Sequence, residues 1–108
     1  MSNIVFTVKI KVKEEFTQIV DPFMQAMHKL THDFDEGFIQ YDLYKDKEDE
    51  NKFYFIEEWD SEESLEKHKQ KEHYKSFIEF LDDKVESIDK VLEKIDTSSL
   101  EKVESLNI

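Results

Sequence analysis

Two histidines, His68 and His73, are the residues of this 108-residue chain whose type and setting best suit chemistry. Histidine takes up and releases a proton near neutral pH, so either residue could act as a general base. At 100° per residue, His73 would project between Phe77 and Phe80, on the inner side of its predicted helix. The alternative for His73 is a buried structural role, with its ring hydrogen-bonded to backbone near the helix start.

The spacing of these histidines argues against a metal site. His68 and His73 lie five residues apart, whereas two metal ligands on one helix face need a spacing of three or four residues. No nearby carboxylate shares their helix face. We therefore expect no metal at this pair.

A strand that precedes the histidines carries one large aromatic and two acidic side chains. Trp59 ends this strand and would form part of the core or the wall of a pocket. Glu57 and Glu58 occupy successive positions, so one of them must point inward or lie at a sheet edge. An inward glutamate would have a raised pKa, because burial disfavours its charge. A glutamate at the edge would simply be hydrogen-bonded.

Tyrosines add possible hydrogen-bond donors, and two further histidines lie on the first predicted helix. The tyrosines are Tyr41, Tyr44, Tyr54 and Tyr74. Tyrosine on a strand mostly packs its ring and keeps its hydroxyl wet. His28 lies roughly opposite the apolar stripe of its helix, so we expect it to be exposed, and neither His28 nor His32 is assigned a role.

Hydrophobic periodicity predicts strands and helices in the order β-α-β-β-α-β, which is ferredoxin-like and belongs to the α+β class with an antiparallel sheet. A period of two marks strands, and apolar spacings of three and four mark helices. The predicted strands cover about residues 3–12, 38–45 and 52–59, with a last strand within 87–96. The predicted helices cover about residues 14–32 and 61–85, the second with a break near residue 71.

Two punctuating residues qualify this pattern. Pro22 follows Asp21 inside the first helical stretch, where it either opens a helix or bends a longer one. Gly37, the only glycine, follows that helix, where a left-handed backbone is often required.

Rings on both faces of the second and third strands suggest a second subunit. Phe53 and Phe55 lie on one face and Tyr54 on the other, whereas a sheet with one solvated face should alternate more cleanly. We therefore expect one face to pack on helices and the other on a second copy of the chain. The predicted domain covers residues 1–96. The tail, 97–108, could be frayed, helical or an arm across the partner.

Composition limits the classes of partner. The net charge is −12, all 15 basic residues are lysine, and there is no cysteine. Nucleic acid and anionic membranes are poor partners for such a chain, and no disulfide, thiolate nucleophile or cysteine-based zinc site is available. No apolar run approaches the roughly 20 residues that span a membrane. The first ten residues lack the pattern of a secretion signal, so we expect a cytoplasmic protein.

Three segments, GFIQYDLYKD, KFYFIEEW and SLEKHKQKEHYKSF, together resemble the antibiotic biosynthesis monooxygenase family. Members commonly have a Gly-x-x-x-Tyr strand, an acid-acid-Trp strand end, and a His-x4-His helix followed by an aromatic residue. The resemblance covers residues 3 to about 85. It implies a dimeric α+β barrel in which two sheets combine across the dimer. The family includes oxygenases, haem degraders, isomerases and members with no known activity.

The resemblance also separates the branches of this family. The Trp and His of the haem-degrading branch fall at His68 and Ile78, and its Asn falls at Phe6 or Thr7, so haem is not expected. The segment HKQKEHYKSF looks like the helix of a branch that processes a phosphorylated autoinducer, but Trp59 is more typical of the oxygenases. The absence of arginine leaves only lysine to meet a phosphate.

The sequence therefore predicts a homodimeric, cofactor-independent monooxygenase of small aromatic or quinol substrates, with neither cofactor nor metal. His73 would be the base and His68 would assist it. The substrate-binding residues would be Trp59, Tyr74, Tyr41 and Phe77, and the resemblance implies that Trp59 stacks on the ring. The alternatives are a non-catalytic small-molecule-binding dimer and an isomerase of the autoinducer type. A pocket closed by Phe side chains would favour the binding protein, whereas an open cavity with His73 and one Tyr converging on it would favour the enzyme.

Overall fold

The computed structural model describes residues 3–103, which form one antiparallel sheet with helices on one face. The strands are β1 Ile4–Val12, β2 Phe38–Asp46, β3 Lys52–Trp59, β4 Val85–Val91 and β5 Leu100–Lys102. The helices are α1 Thr17–Phe34, α2 Glu62–Gln70 and α3 Glu72–Leu81, with a short 3₁₀ turn at Glu14–Phe16 before α1. The strand order is β4-β1-β3-β2-β5, and all four neighbouring pairs are antiparallel. The predicted α+β, ferredoxin-like fold is confirmed.

Strand register sets the floor of the main cavity. Phe6 pairs with Glu57, and Glu57 pairs in turn with Tyr41, so these three side chains lie in a row across β1, β3 and β2. Successive residues of a strand point to opposite faces. Phe6, Glu57 and Tyr41 therefore share one face, and all three are buried. The hydrophobic core forms between this face and the helices.

Two short connections fix where the helices begin and end. Gly37 has φ of 85°, and a Cβ added there would meet Ser64 Oγ at 2.2 Å, so the turn between α1 and β2 packs against the start of α2. Ser61 caps α2 by accepting a hydrogen bond from the Ser64 backbone N–H. The chain also breaks at Lys71, between α2 and α3.

Helix α1 has one of its two predicted shapes but buries a different face from the one expected. It is a single helix with Pro22 in its interior, so the longer of the two alternatives is formed. Its buried face is lined by Val20, Met24, Met27, His28 and Thr31, whereas Phe23 and Phe34 are exposed. His28 is 7% exposed, so its predicted exposure is wrong. The buried face includes the polar residues His28 and Thr31. The spacing of apolar side chains alone therefore predicts the wrong buried face for α1.

The chain after β4 covers part of the other face of the sheet. Thr7 Oγ1 donates to the Glu93 carbonyl at 2.7 Å, and the Ile95 N–H donates to Thr7 Oγ1 at 3.3 Å. Thr7 and Ile56, which lie on this face, are both buried. Strand β4, Val85–Val91, begins before the predicted range of 87–96 and ends within it.

Residues 100–102 of the predicted tail are neither frayed nor helical but form a strand of the same sheet. Leu100 pairs with Asp46 and Lys102 with Tyr44, so β5 extends the sheet beyond β2. The remaining tail, 104–108, lies outside the described residues. The division at residue 96 and the second subunit stay predictions. Among residues 3–103, no helix is long and apolar enough to cross a membrane.

Candidate active site

A cavity of about 210 Å³ lies between the helix-facing side of the sheet and helices α2 and α3. Its walls are mainly apolar and aromatic, with Phe6, Phe55, Phe77 and Ile88 among them. The polar side chains that line it are Tyr41, Glu57, His68, Lys69, Tyr74 and Lys90. A mostly apolar cavity with a few converging polar groups is the usual form of a small-molecule site.

One buried carboxylate connects the two candidate histidines. Asp35 Oδ2 lies 2.5 Å from His68 Nδ1, and Asp35 Oδ1 lies 2.7 Å from His73 Nε2. Asp35 directly follows α1, and its backbone N–H donates to the Thr31 carbonyl at 3.0 Å. An ionised carboxylate only accepts hydrogen bonds. Both histidines therefore carry a proton on the nitrogen that faces Asp35.

His68 is the member of this group that lines the cavity. Its ring packs against Trp59, with the ring centroids 4.6 Å apart, and against Tyr74 at 5.1 Å. Burial lowers the pKa of His68, and the hydrogen bond to Asp35 partly opposes that shift. A neutral His68 with its proton on Nδ1 has its lone pair on Nε2, which makes no hydrogen bond within residues 3–103. This arrangement suits a general base.

His73 has a different position. It is half-buried, its ring centroid is 6.4 Å from that of His68, and it does not contribute to the cavity lining. Its contact with the cavity is therefore indirect, through Asp35 and His68. The sequence assigns the base to His73 and an assisting role to His68, and the geometry places His68 nearer to any bound molecule.

Glu57 is the inward-pointing glutamate that the sequence left undecided. It is 5% exposed, and burial raises its pKa to about 7. The Trp59 indole Nε1–H donates to Glu57 Oε1 at 2.9 Å, which opposes the shift. Glu58 lies on the other face of the sheet, where its carboxylate accepts a hydrogen bond from Asn3 at 2.8 Å. Its pKa is lowered, chiefly by the Lys94 ammonium and then by Asn3.

The predicted substrate-binding residues separate into two groups. Tyr41, Tyr74 and Phe77 line the cavity. Burial raises the pKa of both tyrosines above its usual value, so their hydroxyls stay protonated and available as donors. Trp59 is completely buried and is not part of the lining. It contacts Glu57 and His68 from behind instead.

Asp35 is the site residue that sequence reasoning missed. It lies in the acidic connection between α1 and β2, in the segment DFDEG, where no periodicity marks it. Asp35 can be recognised as a site residue only by its burial and by its contacts with His68 of α2 and His73 of α3. A chain with 27 acidic residues offers many similar candidates.

Two groups among the described residues could supply metal ligands. The first is Asp35, His68 and His73, and the second is His28, His32 and Asp42; within each group the ligand atoms lie within 4.8 Å of one another. The first group includes a carboxylate, that of Asp35, which the helix face of the two histidines lacks. Asp35 directly follows α1 and does not belong to the helices that carry the histidines. Two imidazoles and one carboxylate suit zinc or ferrous iron. In this structure both carboxylate oxygens of Asp35 accept hydrogen bonds from the histidines.

Fold and cavity together define a small ferredoxin-like α+β domain with an aromatic-lined, acid–base-bearing site. The chain belongs to the antibiotic biosynthesis monooxygenase family, whose model matches residues 3–79. This confirms the family that the sequence resembles.

Solved structures with the same fold come from several organisms. PA3566 from Pseudomonas aeruginosa shares 22% identity with a TM-score of 0.79, over 89% of this chain and 97% of that one. A Bacteroides thetaiotaomicron protein with the provisional name antibiotic biosynthesis monooxygenase shares 17% identity with a TM-score of 0.81, over 87% and 90%. A conserved protein from Methanosarcina mazei shares 27% identity with a TM-score of 0.73, over 87% and 95%. No curated protein matches this chain significantly.

Proposed function

We propose that this protein is a cofactor-independent monooxygenase that oxidises small phenols or quinols with dioxygen. The observation that carries the proposal is His68, which lines an aromatic cavity while its Nδ1 is held by the buried carboxylate of Asp35. This is the arrangement of a base and the group that orients it.

The reaction begins with removal of a proton. His68 Nε2 takes the proton of the substrate hydroxyl, and Asp35 stabilises the imidazolium that forms. The electron-rich phenolate then donates electrons to dioxygen, and a carbon–oxygen bond forms at the ring. The same carbon loses its proton as the O–O bond breaks, one oxygen stays as the new quinone carbonyl, and the other leaves as water. A phenol and dioxygen thus give a quinone and water.

Glu57 is suited to the later steps of this reaction. Its pKa of about 7 means that a large share of the carboxyl groups is protonated at neutral pH, and it lines the same cavity as His68. It can donate a proton to the oxygen that leaves. Tyr41 and Tyr74 donate hydrogen bonds to substrate oxygens, and the apolar walls keep bulk water away from the peroxide.

The roles of the two histidines differ in this proposal. His68 is the base, and His73 is a positioning residue that acts through Asp35. This assignment exchanges the roles expected from the sequence. It is motivated by the cavity lining, which includes His68 but not His73.

The test is oxygen uptake by metal-stripped protein against a panel of phenols and quinols, with His68→Gln, Asp35→Asn and His73→Gln compared. Loss of the base in His68→Gln should lower the rate about 10²- to 10⁴-fold. Because Asp35 raises the pKa of His68, Asp35→Asn should also move the acidic limb of the kcat/KM profile to lower pH. Lys67→Met, on the exposed side of α2, is the matched control.

Uptake that His68→Gln leaves unchanged would contradict the proposed base. Uptake that vanishes on metal removal and returns with added ferrous iron would replace the cofactor-free reaction with one at the Asp35, His68 and His73 ligand set. Substrate rearrangement without oxygen uptake would favour the isomerase alternative, since Glu57 and His68 line the same cavity and could supply its acid and its base. A non-catalytic binding protein would bind the phenol or quinol with neither oxygen uptake nor rearrangement.

A further inference from the structure

The charge around the cavity differs in sign from the charge of the chain. The whole protein carries −12, yet the cavity is lined by two lysines, Lys69 from α2 and Lys90 from β4, and by a single acid, Glu57. Both lysines lie close enough to Glu57 to oppose the rise in its pKa that burial causes. The field of the two ammonium groups therefore extends into the cavity.

The same two lysines lie where the cavity adjoins a second space, a junction that we call the mouth of the cavity. A second, wider depression of about 520 Å³ lies beside it, and both spaces are lined by Leu65, Lys69 and Lys90. Residues that line both spaces lie at their junction. A molecule with its ring in the inner cavity would therefore have its outermost substituent near these two ammonium groups.

Local contacts show how the lysines are held. Lys90 Nζ lies 4.2 Å from the centroid of the Phe6 ring, which itself lines the cavity, so its ammonium is placed over an aromatic wall. Lys69 Nζ lies 3.6 Å from Glu66 Oε1, in a surface pair that an incoming anion can exchange at little cost.

We propose that the cavity selects aromatic substrates that carry a carboxylate, with the ring against the aromatic walls and the carboxylate at Lys69 and Lys90. The substrates of the proposed reaction would then be phenolic acids rather than neutral quinols. The reactive half of this inference rests on the proposed function, whereas the binding half does not.

A carboxylate fits this mouth better than a phosphate. The outer depression is also lined by Glu62 and Glu66, whose negative charges disfavour a dianion more than a monoanion. Lysine offers a single point charge, while the two-pronged guanidinium that recognises phosphate is absent from this chain.

The experiment is calorimetric titration in the absence of oxygen, so that binding is measured without turnover. The probes are 2,5-dihydroxybenzoate, its neutral methyl ester and 4-hydroxyphenyl phosphate. The variants are Lys69→Met, Lys90→Met and the double variant, each with its melting temperature checked. Lys67→Met is the control, because Lys67 is an exposed lysine of the same helix that lines neither space.

We expect the acid to bind more tightly than the ester, and each lysine variant to weaken the acid about two- to fivefold while leaving the ester unchanged. The double variant should remove the preference, and added salt should reduce it in the wild type. Equal binding of acid and ester, or an acid preference that survives the double variant, would overturn the inference. Tighter binding of the phosphate would overturn its assignment to a carboxylate.

The two proposals fail in different ways. Selective binding of the acid without oxygen uptake would support the binding site and contradict the oxygenase. Oxygen uptake with neutral phenols alone would support the oxygenase and contradict the carboxylate site. Binding of none of the probes would contradict this inference directly.

Discussion

At the scale of single residues, Glu57 connects the site with the stability of the fold. Its pKa rises from 4.5 to about 7 because it is buried, so the folded state holds the proton more tightly than the unfolded chain. A raised carboxyl pKa gives stability that is complete below about pH 4.5 and is lost as the pH rises towards 7. The buried charge is therefore a cost to the wild type at alkaline pH.

Glu57→Gln should remove that cost, because glutamine has no charge to bury. Relative to the wild type, we expect the variant to gain stability on the order of 3 kcal/mol at pH 8, a gain that is absent at pH 4. Urea unfolding at the two pH values measures the difference. In the control, Glu58→Gln, the trend should be reversed, since hydrogen bonds from Lys94 and Asn3 lower the pKa of Glu58. A Glu57→Gln effect of equal size at both pH values would show that Glu57 is not buried as a titrating carboxyl.

Sequence reasoning reached most of the site one residue at a time and missed what joins the residues. His68, Tyr41, Tyr74 and Phe77 were expected at the site, and all four line the cavity. Asp35 was not expected, because a carboxylate in a loop has no periodicity and becomes distinctive only through the groups that fold against it. His68 lines the cavity and His73 does not. This difference depends on how both rings fold against Asp35, and the spacing of the histidines in the sequence could not show it.

At the scale of elements, alternation and helical spacing predicted the fold because they report burial directly. The pattern failed where polar residues are buried, as at His28 and Thr31 of α1, since it counts only apolar side chains. It also failed after β4. The segment around Glu93 and Ile95 is held by hydrogen bonds to Thr7, a residue 86 positions away in the sequence.

The turn between α1 and β2 offers the test at this scale. Gly37 has φ of 85°, and an added Cβ would meet Ser64 Cβ at 2.5 Å. Gly37→Ala should therefore destabilise the fold by about 1–3 kcal/mol, through backbone strain and displacement of the start of α2. Chemical denaturation measures the loss, with the neighbouring exposed position Glu36→Ala as control. Equal stability of the two variants would contradict the requirement for glycine.

Because Asp35 lies two residues before Gly37, the same variant also probes how the turn positions the site. A shift of this turn would lengthen the contacts from Asp35 to His68 and His73. We expect oxygen uptake by Gly37→Ala to fall even under conditions where the variant is fully folded.

At the scale of the whole molecule, the surface opposite the helices bears on assembly. Tyr44 and Tyr54 pair across β2 and β3 on this face, and both are half-buried. The chain's own segment after β4 covers the part of this face around Thr7, which a partner therefore need not cover. The tyrosine pair lies along the same face towards the β2–β3 hairpin, where a second copy of the sheet could pack.

The predicted homodimer would therefore form through the part of this face around Tyr44 and Tyr54. Sedimentation velocity should give a mass of twice 13.1 kDa, and Tyr44→Asp with Tyr54→Asp should shift the protein towards monomer, since four new carboxylates would meet across a symmetric interface. Phe34→Asp is the control, because Phe34 is an exposed aromatic side chain on the helical side and should leave the dimer intact. A dimer that survives both tyrosine substitutions but separates with Phe34→Asp would place the interface on the helices. A monomeric wild type would mean that the segment after β4 takes the place of the partner on this face of the sheet.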